Sequence, residues 1–362
     1  MQLITGTYTE TLPHVAGKAD GILSVEFDPE TGSFGADVRT LARMRNPSYL
    51  TVSPSGENVY AVSETTEFEG EPGGGVAAFA RDAATGDLTR LNTMPTRGNE
   101  PCFVTLDRGG TFVLTANYGG GSASVYPVSD AAGGGRLGEM AGHVQQHGSG
   151  PDPERQEAAH THMTGIDPVT GDVLAIDLGS DTIFRYALDP AGRFVSGTSI
   201  KAEPGAGPRH LAFHPGGRYA FVTNELGGTV TILRRTGGSG SAGGFESAGD
   251  IPAVPDWVEV ESQPAAVRVS ASGRHVLVSN RGYDSITVFR FDEAAQRLSL
   301  VSNTRAEGTC PRDFILTPDG AKIIVAAQDS DVIASYAFDD EAGSLRLLHT
   351  VAAATPVCLA LA

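Results

Sequence analysis

One unit recurs along this chain, and it limits the possible folds more than any other feature. The unit is a short apolar run, a Pro- or Gly-containing turn, and a second apolar run that ends in polar residues. It begins at Pro47, Pro101, His162, Pro208, Pro264, Pro311 and Pro356. Successive starts lie 45 to 61 residues apart, which is the spacing of four-stranded blades in a β-propeller. The repeat therefore predicts an all-β, seven-bladed β-propeller.

The two ends of the chain complement each other. The seventh unit runs directly into the C-terminus, so its second strand is missing, and residues 3–8 resemble the second runs of the other units. Pairing the two would remove the open sheet edge that otherwise invites aggregation. A solenoid, the structural alternative, would instead need capping repeats. We expect residues 1–362 to form a single domain, closed by a blade that the N- and C-terminal strands share.

Two segments interrupt the regular spacing. Residues 130–159 delay the third unit, and the Gly/Ser-rich residues 236–250 extend the connection after Arg235. We predict that both are surface loops and that the second carries no chemistry.

Composition excludes several classes of partner. The net charge of −17 argues against nucleic acid and against an anionic membrane surface. No apolar run is long enough to cross a bilayer, and the N-terminus reads as a strand and not as a secretory signal. The three cysteines have no metal-type spacing and are expected to be small buried hydrophobes. We expect a cytoplasmic protein that is a monomer or a weak homo-oligomer.

Propeller geometry predicts which side chains meet. The first strand of a blade leaves one mouth of the central channel and the second strand returns to it, so the start of one and the end of the other lie together. The residues at these positions are Tyr8, Glu64, Asn117, His160, His162, Asp177, Arg209, Glu225, Arg281, Arg312 and Gln328. The opposite mouth carries turn residues that are poor in reactive groups. Because arginine binds carboxylate and phosphate bidentately, the first mouth is a candidate anion site.

The same residues would also fit structural roles without chemistry. Arg209, Arg281 and Glu225 could form an ion-pair network between blades, and His162 could be a hydrogen-bonded histidine inside the channel. His160 and His162 alone are too few ligands for a metal, so no metal site is predicted. The glycine runs at 119–121 and 133–135 lack the strand–turn–helix context of phosphate-binding loops.

Three segments carry a resemblance to a known family. Residues 160–168, 207–226 and 278–286 resemble the lactonase family of seven-bladed propellers, which includes propeller-type 6-phosphogluconolactonases and the fungal 3-carboxy-cis,cis-muconate lactonizing enzyme. The similarity covers essentially the whole chain. Matching motif to motif, it implies four catalytic residues, which are His162, Arg209, Glu225 and Arg281. Strand geometry adds His160, Arg312, Gln328 and Asn117 as candidate substrate-binding residues.

The function expected from the site and the resemblance is hydrolysis of a small anionic aldonolactone, with 6-phosphogluconolactone as the leading substrate. Arg209 and Arg281 would hold the anionic group and stabilise the developing oxyanion. Either Glu225 or His162 would act as the general base, and no cofactor is required. The alternatives are a carboxymuconate-type cycloisomerase and a non-catalytic propeller that binds a sugar acid or a protein partner.

Overall fold

All of the regular secondary structure in the described chain is β. The computed structural model describes residues 1–129, 134–237 and 243–362. These residues form seven four-stranded antiparallel sheets and two short two-stranded hairpins. The prediction of an all-β, seven-bladed propeller is confirmed.

The strands of each blade are given from the channel outward, and blade 1 is the closing blade. Blade 1 consists of Pro356–Leu361, Gln2–Thr7, Gly21–Glu26 and Arg39–Arg43. Blade 2 consists of Leu50–Val52, Asn58–Ser63, Gly75–Arg81 and Leu88–Pro95. Blade 3 consists of Pro101–Leu106, Phe112–Asn117, Ser122–Pro127 and Gly142–Gln145. Blade 4 consists of Thr161–Ile166, Val173–Asp177, Thr182–Leu188 and Phe194–Lys201. Blade 5 consists of Pro208–Phe213, Tyr219–Asn224, Thr229–Arg235 and Phe245–Pro252. Blade 6 consists of Gln263–Val269, His275–Arg281, Ser285–Asp292 and Arg297–Arg305. Blade 7 consists of Pro311–Leu316, Lys322–Ala327, Val332–Asp339 and Ser344–Ala352. The hairpins pair Thr11–Leu12 with Val15–Ala16 and Glu67–Phe68 with Glu71–Pro72.

The closing blade joins the two ends of the chain. Its C-terminal strand pairs antiparallel with the N-terminal strand, from Leu3 opposite Leu361 to Thr7 opposite Pro356. Backbone hydrogen bonds of 3.0 and 2.9 Å also link Gln2 with Ala362. The C-terminal strand is the innermost strand of its blade and contacts the inner strands of blades 7 and 2, which completes the ring. The predicted sharing of one blade by both termini is confirmed.

Apolar side chains pack between neighbouring blades. A second strand is buried on both faces, as Val59, Tyr60, Ala61 and Val62 in blade 2 illustrate, because each sheet is covered by a blade on either side. Alternate residues of one strand therefore contribute to the clusters on its two sides. This explains why the second runs of the repeat are continuously apolar in sequence. Outer strands are largely exposed, and their sequences mix apolar and polar residues.

The prediction for residues 236–250 was wrong in part. Phe245–Pro252 is the outer strand of blade 5, paired with Thr229–Arg235, and the Phe245 side chain is buried. The segment 130–159 likewise contains the outer strand Gly142–Gln145 of blade 3. An outer strand pairs through its backbone and needs little apolar sequence, so a Gly/Ser-rich stretch can supply one. Residues 130–133 and 238–242, which belong to the two predicted loops, lie outside the described residues.

Candidate active site at the channel mouth

Two kinds of connection surround one mouth of the channel: those from second to third strands, and those from outer strands to the next inner strand. They enclose a cavity of about 730 Å³. Five of the predicted site residues line this cavity: His162, Glu225, Arg281, Arg312 and Gln328. Arg209 lies beneath it, in a narrow part of the channel that also adjoins His162 and Arg312. The structure therefore brings together all four residues that the family resemblance implied.

Glu225 is at the centre of the charged groups. It follows the second strand of blade 5, and its side chain is 4% exposed. Arg155 donates a hydrogen bond of 2.7 Å to its Oε1, while Arg209 Nε and Arg281 Nη2 lie 2.9 and 2.7 Å from its Oε2 as ion pairs. Burial alone would raise the pKa of Glu225, but the three guanidinium groups outweigh burial and hold the pKa well below its usual range. Glu225 is a carboxylate at neutral pH and a weak proton acceptor.

Arg209 is buried more completely than its place at a strand start suggested. Its side chain is 2% exposed, and its Nη1 donates a 3.0 Å hydrogen bond to the carbonyl of Ala265 in blade 6. Burial and the nearby Arg281 lower the pKa of Arg209 to about 10. Because Arg209 joins blade 5 to blade 6 as well as contacting Glu225, it is a structural element of the channel floor.

His162 faces the cavity from the inner strand of blade 4. Its ring makes edge-to-face contacts with His210, at a centroid distance of 5.1 Å, and with Tyr118, at 5.8 Å. Its Nδ1 has no hydrogen-bond partner among the described residues. Burial, reinforced by Arg209, lowers the pKa of His162 well below 6.5. The imidazole is therefore neutral at pH 7, and one of its two ring nitrogens carries a lone pair.

A second carboxyl group faces the same cavity. Glu64, at the end of the second strand of blade 2, accepts a 2.8 Å hydrogen bond from the Tyr8 hydroxyl and another from the Ser48 hydroxyl. Arg312 donates to the Tyr8 hydroxyl over 3.2 Å, and its guanidinium lies 5.6 Å from the Tyr8 ring centroid. Among the described residues, Arg312 makes no ion pair with a carboxylate, unlike the arginines around Glu225. Arg312 is therefore the lining arginine most available to a bound anion.

The remaining predicted residues differ in their placement. Gln328 lines the cavity, and its amide donates a 2.8 Å hydrogen bond to Asp329. The ring of His160 stacks on Tyr118, with centroids 4.7 Å apart, and does not line the cavity. Asn117 is fully buried within blade 3, where its side chain donates to the Ser122 hydroxyl. The structure thus does not bring His160 or Asn117 to the cavity wall.

Several lining residues were not predicted from the sequence, among them Arg155, Tyr118, His14 and the carboxylates Glu100, Asp284 and Asp329. Arg155 and Tyr118 both line the cavity, and Arg155 also donates to the Tyr118 hydroxyl over 3.1 Å. Arg155 belongs to the segment 130–159, and the only signal for it was the 61-residue spacing before His162. Among the described lining residues, five are acidic, which are Glu64, Glu100, Glu225, Asp284 and Asp329. The cavity wall therefore offers both guanidinium donors and carboxylate acceptors.

The described ranges contain neither a metal-type cluster nor a membrane-type helix. No group of three or more His, Cys, Asp and Glu side chains is placed to hold a metal ion there. None of the described residues forms a helix of the length and apolarity needed to cross a membrane.

Comparison with known proteins identifies the family. The model of the seven-bladed β-propeller lactonases matches residues 2–361. The chain belongs to the lactonase family of seven-bladed β-propellers. This lactonase is 36% identical to the 6-phosphogluconolactonase of Bacillus subtilis over 355 residues, which cover 98% of this chain and 96% of that protein. It is 28% identical to the 6-phosphogluconolactonase of Formosa agariphila, with coverages of 96% and 95%.

A solved structure of a gluconolactonase has the same fold. The periplasmic gluconolactonase of Pseudomonas aeruginosa superposes on this lactonase with a TM-score of 0.88 and 30% identity, covering 99% of this chain and 98% of that one. The resemblance carried by the sequence motifs is confirmed at the level of family and fold.

Proposed function

We propose that this lactonase hydrolyses 6-phosphogluconolactone to 6-phosphogluconate. The observation that carries the proposal is the buried carboxylate Glu225, which holds three guanidinium groups at one cavity beside the neutral imidazole of His162. Relatives named 6-phosphogluconolactonase support the choice of substrate.

The lining of the cavity fits a polyhydroxylated anion. Arg312, which has no carboxylate partner among the described residues, is placed to take the phosphate, because guanidinium groups bind phosphate bidentately. Carboxylates such as Glu100 accept hydrogen bonds from sugar hydroxyls. An aldonolactone phosphate presents both kinds of group, which neither a hydrocarbon nor a cationic ligand does.

His162 is the better of the two candidate bases. Three arginines depress the pKa of Glu225, so the carboxylate gains little by accepting a proton. Burial weakens His162 as a base too, but it leaves the imidazole unprotonated at neutral pH, and the His162 side chain lines the cavity. We assign His162 to accept the proton of the attacking water. Arg281, with its side chain 13% exposed, is placed to stabilise the oxyanion, and Glu225 holds the arginines in position.

The test offers freshly prepared 6-phosphogluconolactone, glucono-δ-lactone and a carboxymuconate to the purified protein and follows acid release or ring closure. We expect phosphorylated lactone to be opened with the highest kcat/KM. His162→Asn should reduce kcat by about 10²- to 10⁴-fold while the affinity for 6-phosphogluconate is kept. His147→Asn, at an exposed position on the loop before the site, is the matched control and should behave as wild type. Turnover of the muconate alone would favour the cycloisomerase, and no turnover at all would favour a binding protein.

Two further properties belong to this proposal. We propose that the lactonase is cytoplasmic, because Cys102, Cys310 and Cys358 are all unpaired thiols, as is usual for proteins of a reducing compartment. We also propose that residues 1–362 act as a single domain and that the protein is a monomer or a weak homo-oligomer. Cell fractionation and sedimentation of the purified protein test these two properties.

A further inference from the structure

Glu64 has an environment unlike that of the other buried carboxylate of the site. Its side chain lines the mouth cavity and also the narrow space beneath it, where His162 and Arg209 lie. Both of its carboxyl oxygens accept hydrogen bonds from hydroxyl groups, Oε1 from Tyr8 and Oε2 from Ser48. No ion pair joins Glu64 to an arginine within the described ranges, whereas Glu225 has three such pairs.

The charges that face Glu64 come from several blades. Arg312 of blade 7 is attractive, whereas Glu100, next to the inner strand of blade 3, is repulsive. Cys102, His162, Arg209 and His210 share the narrow space beneath the cavity with it. Burial is the largest influence and raises the pKa of Glu64, and Arg312 and the two hydroxyl donors offset it only in part. Glu64 therefore keeps its proton to higher pH than an exposed glutamate does.

Ring opening needs a proton at a second place. Attack of water on the lactone carbonyl releases one proton, which the proposed function assigns to His162. Collapse of the tetrahedral intermediate then breaks the bond between the acyl carbon and the ring oxygen. That oxygen would leave as a strongly basic alkoxide unless a proton is delivered to it.

We propose that Glu64 is the catalytic acid that protonates the ring oxygen as the acyl–oxygen bond breaks. The assignment rests on the proposed lactonase function. The steps balance: water adds to the carbonyl carbon and gives one proton to His162, the ring oxygen takes one proton from Glu64, and the product is a hydroxy acid. Solvent then carries a proton from the imidazolium to the Glu64 carboxylate, which restores both groups. Two buried groups with pKa values moved in opposite directions are the arrangement expected of a base and an acid.

The first test is Glu64→Gln, which keeps the shape of the side chain and removes its acidic proton. We expect kcat for 6-phosphogluconolactone to fall by about 10²-fold with unchanged affinity for 6-phosphogluconate. The wild-type rate, corrected for spontaneous hydrolysis, should decline at high pH as Glu64 loses its proton, and this decline should be absent in the variant. Glu10→Gln is the control, because Glu10 pairs with Arg45 at the rim and does not line the cavity.

The second test is Ser48→Ala, which distinguishes a catalytic from a merely structural Glu64. The Ser48 hydroxyl stabilises the ionised form of Glu64, so its removal should raise the pKa of the carboxyl. The alkaline decline of kcat should then move to higher pH while the maximal rate is kept. A structural role would change the melting temperature and leave the alkaline decline in place.

The outcomes separate the two proposals. Suppose that the wild-type protein opens the lactone. The role of Glu64 is then overturned, and the lactonase function stands, if kcat of Glu64→Gln lies within a few-fold of the wild-type value or if the alkaline decline persists in that variant. Absence of lactone turnover by the wild-type protein overturns both. Loss of the decline in Glu64→Gln together with its upward shift in Ser48→Ala supports the assignment.

Discussion

Replacing His210 by phenylalanine removes a titratable ring from an aromatic cluster beneath the active site. His210 is 2% exposed, and its ring makes edge-to-face contacts with Tyr49, Phe103 and His162 at centroid distances of 6.0, 5.4 and 5.1 Å. Neither ring nitrogen has a hydrogen-bond partner among the described residues. Burial is the main reason that the pKa of His210 lies well below 6.5, and neighbouring Arg209 lowers it further. The folded protein therefore holds this ring neutral.

The lowered pKa makes stability depend on pH in a defined direction. In the unfolded chain the histidine titrates near 6.5, so as the pH falls from 7 to 5 the unfolded state takes up a proton that the folded state does not. Stability is lost through this range because the unfolded state binds more protons. Integrating the linkage relation for one histidine from pH 7 to pH 5 gives a loss of about 2 kcal/mol in the free energy of unfolding.

Urea unfolding at pH 7, 6 and 5 measures this contribution. We expect the loss of stability between pH 7 and pH 5 to be smaller by about 2 kcal/mol in His210→Phe than in wild type. His147→Phe, the same change at an exposed position, should leave the pH dependence as it is. An identical slope in wild type and His210→Phe would refute the reasoning, because it would mean that His210 is protonated equally in the folded and unfolded states.

Three further predictions address the ring and the arginines. Deleting residues 356–362 removes the buried Val357, Cys358 and Leu359 and should lower the free energy of unfolding by about 5 kcal/mol or more, seen as a large fall in Tm; an unchanged Tm would contradict the closure of the ring. In Arg209→Lys the lysine cannot make both the Ala265 and the Glu225 contacts. We therefore expect kcat/KM to fall by about 10- to 100-fold and Tm to fall as well. Wild-type kinetics in this variant would exclude a role for the guanidinium shape. Arg155→Met should lower kcat/KM by about tenfold with little change in Tm, since its side chain is 38% exposed; unchanged kinetics would show that Arg155 acts only as a surface partner of Glu225.

The architecture could be predicted because the constraint is repeated. Every blade needs an inner hairpin that is buried on both faces, so the same apolar pattern recurs seven times and the ends of the chain complete the last copy. Outer strands are not buried on both faces, so their sequences need not be apolar. Phe245–Pro252 pairs through its backbone along one edge and exposes much of its length, and its sequence therefore resembled a loop.

The site could be predicted only as far as strand ends determine position. The strand rule placed Arg209, Glu225 and Arg281 together, and the ion pairs agree with it. The rule could not give the depth or direction of a side chain, because it does not include register shifts at strand starts, such as the one between Thr161 and Met163. His160 turns to stack on Tyr118, for example, while His162 two residues later faces the channel. Arg155 was missed because its loop does not belong to the repeat.

The two buried glutamates show how this propeller uses arginine in an acidic protein. Burial raises the pKa of both Glu64 and Glu225, so the difference between them must come from their neighbours. Glu225 has three guanidinium groups within ion-pair distance and stays ionised, while Glu64 has two hydroxyl donors and a more distant Arg312. An ionised Glu225 in turn keeps Arg155, Arg209 and Arg281 close together despite their mutual repulsion. Removing the Glu225 charge would therefore disperse the cationic groups, whereas Glu64 forms no ion pair with any of these three arginines. The same residue type thus organises the arginines at one position and, in the role proposed for Glu64, donates a proton at the other.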